Sequence, residues 1–295
     1  MAIVGVIGLG QMGLGMAETL LREGFEVVGF DLDPARREMA AALGATNADS
    51  IAALCAATDQ VVLSLPEAQH VDAVVTGPGG IMESNRAGML VMDATTSEPE
   101  MSRHLAGVMA EAGHGFLDAP VSGGPSGAKN GTLAIMVGGA NDLFARARPV
   151  LDAMSAKLVH IGPPGAGNVV KLINNLMTAS HTVIAAEAAL LAMRAEVDPK
   201  ILFEVVNAGS GRSLVSELVI PAEVLTGSLN FGFKAALMRK DVRLAMALAE
   251  ATGTDTDMVS VAGRIWAESA DNLAADADYT AVAAGIIERG LKDRG

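Results

Sequence analysis

Short apolar runs and helical repeats alternate along residues 3 to about 161 of this chain. The runs are rich in β-branched residues, whereas the segments between them, such as Met12–Glu23 and Pro34–Leu43, carry apolar residues at helical spacing. This alternation predicts βαβ units on a mainly parallel sheet. The predicted strands are Ile3–Ile7, Glu26–Phe30, Gln60–Ser64, Leu90–Asp93, Gly115–Asp118, Leu133–Val137 and Lys157–His160.

The alternation ends at Gly162-Pro163-Pro164-Gly165, and only helical patterns continue beyond it. We therefore expect an α/β domain over residues 1–162 and an all-α domain over residues 163–295. The first helix after the boundary, roughly Gly167–Arg194, is apolar nearly all round. It is predicted to be buried on several sides, against its own domain, the sheet domain or another subunit.

Composition narrows the classes of function. Of the 295 residues, 51% are hydrophobic and only 3% aromatic, so an aliphatic core is expected. The formal net charge of −13 repels phosphate backbones and disfavours nucleic-acid binding. The single cysteine, Cys55, permits no internal disulfide, which favours a reducing compartment, and the cytoplasm is the expected location.

No targeting segment, membrane span or metal site is expected. The opening MAIVGVIGLG lacks the basic region and cleavage site of a signal peptide. The most apolar later stretch, Leu176–Met193, contains His181 and Glu187, so it is interpreted as a buried helix. The five histidines show no metal-ligand spacing.

A glycine motif follows the first predicted strand. Gly8, Gly10 and Gly13 form G-x-G-x-x-G, with Gln11 and Met12 inside it. The first glycine allows a tight turn, the second lets backbone approach a pyrophosphate, and the third lets the helix pack on the strand. We therefore expect a Rossmann-like dinucleotide-binding domain; the alternative is a glycine turn that serves packing alone.

The residue after the second predicted strand bears on the choice of cofactor. Asp31 has the spacing of an acid that binds a ribose, and its carboxylate can accept a hydrogen bond from a 2′-hydroxyl but repels a 2′-phosphate. NAD is therefore expected in preference to NADP, although Arg36 and Arg37 lie close in sequence. Asp33 is interpreted as a helix cap before Pro34.

Two further loops follow predicted strands, and ligands of open α/β sheets bind at the carboxyl ends of strands. Both loops are therefore candidates for cofactor contact, with ordinary turn chemistry as the alternative. Their residues are Leu65 with Pro66, and Thr95 with Thr96.

A polar patch interrupts the apolar helix. Lys171, Asn174 and Asn175 are spaced i, i+3, i+4 and share one face. A lysine in apolar surroundings is unfavourable unless it is paired or exchanges its proton. If this face borders a cofactor cleft, either asparagine could hold the lysine or a substrate oxygen. Desolvation would then favour loss of the lysine proton. Alternatively, the lysine extends to solvent and the asparagines bridge helices.

The segment DAPVSGG places Ser122, Gly123 and Gly124 shortly after a strand that ends in Asp118. Successive small residues leave backbone N–H groups free to converge on an anion, so a substrate carboxylate is a candidate ligand. A flexible loop is the alternative.

Together these segments resemble the β-hydroxyacid dehydrogenase family, which includes 3-hydroxyisobutyrate dehydrogenases and tartronate semialdehyde reductases. The glycine motif, DAPVSGG, GAGNVVKLINN and LMRKDVRLA occur in this order over nearly the whole chain. The resemblance implies an NAD(P)-dependent oxidoreductase that interconverts a small 3-hydroxy acid and its semialdehyde. The alternatives are a tartronate or succinic semialdehyde reductase of the same family and a dinucleotide-binding regulator without turnover.

The resemblance also assigns roles to individual residues. Lys171 matches the catalytic lysine, which protonates the carbonyl oxygen in reduction and deprotonates the alcohol in oxidation. Asn175 matches a substrate-side asparagine, Lys240 a lysine that closes over nicotinamide and substrate, and Thr96 a residue near the nicotinamide ribose. The loop that binds the substrate carboxylate is matched by Ser122, Gly123 and Gly124.

Two further expectations concern the cofactor and assembly. NADP-dependent members of the family tend to have Asn-Arg-Thr where this chain has Asp31-Leu32-Asp33, which implies NAD dependence. The apolar first helix of the second domain indicates a homodimer or homotetramer. The stretch Gly209–Glu217 lies in a region that varies with substrate, so the hydroxy acid stays open.

Overall fold

The computed structural model describes residues 2–84 and 86–292. The chain forms two compact units, Met1–Lys171 and Leu172–Gly295, here called the sheet unit and the helical unit. The predicted domain ends at Met1 and Gly295 lie outside the described residues. The predicted limits 1–162 and 163–295 stay a prediction.

The sheet unit is built on nine strands within the described residues, in the order β3-β2-β1-β4-β5-β6-β8-β7, with β9 paired to β8. Every pair is parallel except β6/β8 and β7/β8. The mainly parallel sheet predicted from the alternation is thereby confirmed. The strands are β1 (Ile3–Ile7), β2 (Glu26–Phe30), β3 (Thr46–Asn47), β4 (Gln60–Leu63), β5 (Leu90–Asp93), β6 (Gly115–Asp118), β7 (Val121–Ser122), β8 (Leu133–Gly138) and β9 (Ser155–Gly162).

All seven predicted strands form, with ends that shift by two residues at most. The sequence did not indicate β3 and β7, because a strand of two residues is too short to show a period of two.

Helices cover both faces of this sheet. They are α1 (Gln11–Arg22), α2 (Pro34–Ala42), α3 (Ile51–Ala57), α4 (Ala68–Val75), α5 (Pro99–Glu111), α6 (Gly124–Asn130) and α7 (Asn141–Ala153), with a 3₁₀ turn at Ile81–Glu83. Alternate residues of β4 enter different cores: Val62 packs with α1, α6 and α7, whereas Val61 and Leu63 pack with α3, α4 and α5. This alternation is the strand period of two, and it buries the sheet on both sides.

The start of α2 agrees with the sequence prediction. Asp33 is its N-cap and accepts a hydrogen bond from the backbone N–H of Ala35 at 2.9 Å, and Pro34 occupies the first helical position. The predicted cap is confirmed.

The helical unit begins within α8 (Ala166–Arg194), which continues from the sheet unit. Its other helices are α9 (Pro199–Ala208), a π-helix (Val215–Val224), α10 (Ala235–Ala251), α11 (Asp257–Glu268), a 3₁₀ turn (Ser269–Asp271) and α12 (Ala281–Lys292). No strand of the sheet falls among the described residues after Gly162, which confirms the predicted helical second part.

The core of the helical unit contains most of the scarce large aromatic side chains. Trp266 and Tyr279 are fully buried and stacked, with ring centroids 6.3 Å apart, and Trp266 donates to the carbonyl oxygen of Ala179 at 3.0 Å. Phe203 is buried in the same core. Every other buried residue of this core is Ala, Val, Ile or Met, so the core is mainly aliphatic, as expected; composition does not indicate where the few rings gather.

One face of α8 leaves apolar side chains exposed. Ile173, Met177, Ile184 and Leu191 are 48%, 55%, 55% and 71% exposed, and their spacings of four and seven residues keep them on one side. This chain by itself therefore does not bury α8 on all sides.

By length and composition alone, α8 is also apolar enough to cross a membrane. A core helix passes the same test, and 44% of its most apolar window is buried here. The observation is weak evidence for a membrane span.

Candidate active site

The glycine motif forms the turn between β1 and α1. Gly8 has φ +89°, and a Cβ there would lie 2.3 Å from the carbonyl oxygen of Ser64. A Cβ at Gly13 would lie 1.8 Å from the carbonyl oxygen of Gly8, so both positions require glycine. A Cβ at Gly10, by contrast, would meet nothing within 4 Å. Space is therefore open beside the second glycine, where a pyrophosphate would approach.

The N-terminus of α1 is suited to an anion. Gly10 occupies the N-cap position without a side-chain hydrogen bond, and the first turn contains no acidic residue. The first N–H groups of a helix have no partner within the helix, and the helix dipole adds positive potential at this end. The residues present thus fit a dinucleotide phosphate.

The Asp31 carboxylate lies next to this turn. Its Oδ2 accepts from the backbone N–H of Leu9 at 2.7 Å, and its Oδ1 accepts from the N–H of Asp33 at 2.9 Å. Each carboxylate oxygen retains a lone pair for a further donor. Arg37 donates through Nη1 to the carbonyl oxygen of Asp31 at 2.7 Å, so its guanidinium is held beside the acid.

A buried carboxylate organises the two loops after β4 and β5. Asp93 Oδ1 accepts from the N–H of Thr95 at 3.0 Å, and Thr95 Oγ1 accepts from the N–H of Leu65 at 3.1 Å. A Cβ placed on Gly8 would lie 2.9 Å from Leu65 Cδ2, so Leu65 borders the glycine turn. The other cofactor candidates on these loops are Pro66 and Thr96.

The segment Ser122–Gly124 turns the chain between β7 and α6. Ser122 pairs with Ala134 of β8, and Gly123 and Gly124 adopt φ values of +129° and +62°. Positive φ at two successive residues is readily reached only by glycine. The turn leaves small residues and their N–H groups at the position predicted to bind a carboxylate.

Lys171 lies on α8 and is only 9% exposed. Leu172, the next residue, is fully buried. Lysine is seldom buried to this extent in proteins. The low exposure disfavours the alternative in which the side chain extends into bulk water, and it agrees with a role that needs a partly desolvated amine.

In the helical unit, one buried carboxylate connects two predicted site residues. Asn175 Nδ2 donates to Asp241 Oδ2 at 2.5 Å, and Lys240 Nζ lies 3.4 Å from Asp241 Oδ1. Asn174 in turn donates to Asn175 Oδ1 at 3.0 Å. The asparagine amide is therefore held on both of its polar atoms. Asp241 was not identified from the sequence, although its place directly after Lys240 in the segment LMRKDVRLA was a signal.

The structure thus groups the predicted residues within each unit. In the sheet unit, Asp31 and Leu65 border the glycine turn; in the helical unit, Asn175 and Lys240 share Asp241. The roles of these residues stay predictions. Among the described residues, no group of three or more His, Cys, Asp and Glu side chains is arranged to hold a metal ion.

Two family models cover most of the chain. Residues 3–162 match the NAD binding domain of 6-phosphogluconate dehydrogenase. Residues 165–286 match the model described as NAD-binding of NADP-dependent 3-hydroxyisobutyrate dehydrogenase. Both descriptions name domains that bind a nicotinamide dinucleotide.

Named relatives and a solved structure agree with these models. The chain is 36% identical to 2-(hydroxymethyl)glutarate dehydrogenase of Eubacterium barkeri, over 89% of this chain and 87% of that protein. It is also 36% identical to 3-hydroxyisobutyrate dehydrogenase of Pseudomonas aeruginosa, over 98% of each. The structure of 3-hydroxyisobutyrate dehydrogenase from Mycobacterium tuberculosis with L-serine matches with a TM-score of 0.89 and 34% identity, covering 97% of this chain and 99% of that one.

Proposed function

The chain belongs to the β-hydroxyacid dehydrogenase family, and we propose that it interconverts a small 3-hydroxy acid of the 3-hydroxyisobutyrate class and its semialdehyde, with Lys171 as general acid and base. The observation that carries this proposal is the 9% exposure of Lys171 within the unit that holds the glycine turn and the Ser122–Gly124 turn. When bound, the nicotinamide dinucleotide accepts hydride from the hydroxyl-bearing carbon or returns it.

In this proposal the chain's own residues bind the acid and move one proton. The N–H groups of Ser122–Gly124 hold the substrate carboxylate and thereby fix the orientation of the reacting carbon, an effect on which much of the rate depends. Lys171 takes the hydroxyl proton in oxidation and returns a proton to the carbonyl oxygen in reduction, which contributes roughly 10²–10⁴-fold. On the strength of the family resemblance, Asn175 and Lys240 are assigned to the substrate side, Lys240 also to the cofactor, and Thr96 to the nicotinamide ribose.

Within the dinucleotide class, we propose that NAD is preferred over NADP. The support is the Asp31 carboxylate beside the glycine turn, because it would repel the 2′-phosphate that NADP carries on its adenosine ribose. Gly8, Gly10, Gly13 and the backbone at Gln11 and Met12 are assigned to the pyrophosphate, and Leu65 and Pro66 to the cofactor's flank.

A substrate panel tests the proposed activity. Purified protein is given NAD or NADP with 3-hydroxyisobutyrate, glycerate, serine, threonate or 4-hydroxybutyrate, and formation of the reduced cofactor is followed by absorbance. We expect turnover with at least one 3-hydroxy acid and a higher kcat/KM for NAD. Turnover with 4-hydroxybutyrate alone would favour the succinic semialdehyde reductase alternative. No turnover with any acid, despite measurable NADH binding, would favour the regulator and overturn the proposal.

We also propose that the protein is a homodimer or homotetramer, located in the cytoplasm and without nucleic-acid or membrane partners. The exposed apolar face of α8, with Ile173, Met177, Ile184 and Leu191, supports assembly, because exposed apolar patches on single chains commonly mark interfaces. The net charge of −13 supports the absence of nucleic acid. The buried cysteine Cys55 is compatible with a reducing compartment.

Sedimentation tests this assembly. We expect a dimer or tetramer at micromolar concentration, and we expect Ile184→Glu to shift the protein toward smaller species, since it places a charge in the apolar face. Leu32→Glu is the matched control, because Leu32 is 87% exposed in the sheet unit, and it should leave the sedimentation coefficient unchanged. A monomeric wild-type protein would contradict the proposal.

A further inference from the structure

A fully buried carboxylate sits at the start of the helix that carries Lys171. Asp118, the last residue of β6, accepts from the backbone N–H of Gly165 through Oδ1 at 2.7 Å and from that of Asn168 through Oδ2 at 2.9 Å. Gly165 directly precedes α8 and Asn168 lies in its first turn, where the N–H groups have no partner within the helix. The carboxylate therefore caps the helix from a strand of the sheet, about 50 residues away in sequence, as the separations of 47 and 50 show.

The surrounding backbone is shaped to admit this carboxylate. A Cβ at Gly138 would lie 2.4 Å from Asp118 Oδ1, and a Cβ at Gly167 would lie 2.9 Å from Oδ2 and 2.3 Å from the carbonyl oxygen of Met136. Only glycine at both positions lets the strand, the helix and the carboxylate approach this closely. Burial raises the pKa of the Asp118 carboxyl, and the N–H donors of Gly165, Asn168 and Gly167 oppose that rise. The hydrogen bonds from the helix start thus offset part of the cost of burying this carboxyl group.

A second buried side chain fixes the same helical turn. Asn168 is fully buried; its Oδ1 accepts from the N–H of Ser97 at 3.0 Å, and its Nδ2 donates to Ser102 Oγ at 3.0 Å. The first turn of α8 is therefore held at one end by Asp118 and on its side by the segment that follows β5. Lys171 lies three residues beyond Asn168, which is about 4.5 Å further along the helix axis.

Asp118 also precedes the predicted carboxylate loop by only four residues. The chain between them is held to the sheet, since Ala119 donates to the carbonyl oxygen of Asp93 at 2.7 Å and Met136 donates to that of Pro120 at 3.1 Å. Asp118 thereby connects the Ser122–Gly124 turn, which is proposed to bind the substrate carboxylate, to α8, which carries Lys171. In the proposed function, the Ser122–Gly124 turn binds the carboxylate of a small substrate and Lys171 acts on its hydroxyl group. The distance between the turn and Lys171 therefore has to be fixed.

We propose that Asp118 is a positioning residue for the reaction: its carboxylate holds the first turn of α8 against the end of β6, so that Lys171 keeps a fixed distance from the Ser122–Gly124 turn. This inference rests on the proposed role of Lys171. It assigns Asp118 no contact with substrate or cofactor.

A double-mutant cycle of Asp118→Asn and Lys171→Ala tests the proposal. Asparagine keeps the size of the side chain but removes the charge and turns one acceptor into a donor that faces a backbone N–H. We expect Asp118→Asn alone to lower kcat by about 10- to 100-fold, because displacement of a catalytic group by about 1 Å has effects of this size. In the Lys171→Ala background we expect a further loss of less than about 3-fold, because residues that act as a unit are not additive.

Further measurements separate positioning from a general loss of structure. The dissociation constant for NADH should stay within about 3-fold of wild type, because the glycine turn is untouched. Asp198→Asn is the matched control: Asp198 caps α9 through the N–H of Lys200 at 2.8 Å, and its substitution should leave kcat unchanged. If Asp118→Asn fails to fold, Asp118→Ser, which retains one acceptor, replaces it in the cycle.

The outcomes decide the two proposals separately. Full activity in Lys171→Ala would overturn the proposed mechanism. An inactive Lys171→Ala variant combined with independent, multiplicative losses in the cycle would overturn only the role of Asp118. Unchanged kcat in Asp118→Asn, or failure of both Asp118 variants to fold, would also overturn that role.

Discussion

Replacement of Lys171 by alanine is expected to lower kcat by roughly 10²–10⁴-fold, the range that general acid–base catalysis contributes. The reason is chemical: the oxygen of the reacting carbon needs a group that gives or takes a proton as hydride moves, and Lys171 is a buried amine in the unit of the glycine turn. The measurement is steady-state kinetics on the best acid of the panel. NADH binding, followed by fluorescence titration, should stay within about 3-fold because the loss concerns proton transfer.

Lys171→Arg distinguishes proton transfer from charge alone. Arginine keeps a positive charge but does not release its proton at working pH, so its kcat should fall about as far as that of the alanine variant. Lys157→Ala, which removes an exposed lysine of β9, is the matched control and should retain wild-type kcat. An arginine variant with near-normal turnover would show that charge suffices, and Lys171 would not be the proton donor.

The double variant Asp31→Asn with Leu32→Arg is expected to move cofactor preference toward NADP by about 100-fold or more in the ratio of kcat/KM values. Removing a repulsion and adding a cation near a phosphate each change the binding free energy by an estimated 1–3 kcal/mol. Asparagine is chosen because its Oδ1 can still accept the hydrogen bond from Leu9 that Asp31 makes at 2.7 Å. Leu32 is exposed, so arginine fits there without disturbing the core.

Leu32→Arg alone separates the two contributions, because it adds the cation and keeps the carboxylate. Asp33→Asn is the matched control: it changes a neighbouring carboxylate, keeps the acceptor for the Ala35 N–H and should leave the preference unchanged. Initial rates with each cofactor at saturating acid provide the ratio. If the double variant keeps the wild-type ratio, the Asp31 carboxylate does not lie at the adenosine ribose.

Local signals in the sequence determined the nucleotide fold because each of them acts over a few neighbouring residues. Side chains alternate across a strand, and alternate residues of β1, β4 and β5 enter the cores on the two faces of the sheet. A short run of consecutive apolar residues therefore indicates a strand that is buried on both faces. The requirement for glycine is local in two respects, since Gly8 has a φ of +89° and a Cβ at Gly13 would collide with the backbone of Gly8 five residues earlier. The Asp33 cap follows from its place directly before Pro34.

The links between distant residues were decided only by tertiary structure. No spacing in the chain indicates that Asp118 caps a helix that begins at Ala166, or that Asp241 holds the amide of Asn175. Each of these contacts joins segments about 50 to 66 residues apart, as the separations of 47, 50 and 66 show, and their geometry depends on how whole elements pack. The gathering of Trp266 and Tyr279 in one core has the same origin.

The sequence by itself thus determined the seven longer strands, their alternation with helices, the glycine turn and the identity of the candidate lysine, because periodicity and backbone sterics are properties of neighbouring residues. Only the folded chain decided how deeply Lys171 is buried, which carboxylates hold its helix and the site asparagine, and which face of α8 stays exposed. Those features depend on desolvation and on the pairing of polar groups across elements, and both are set by packing in three dimensions.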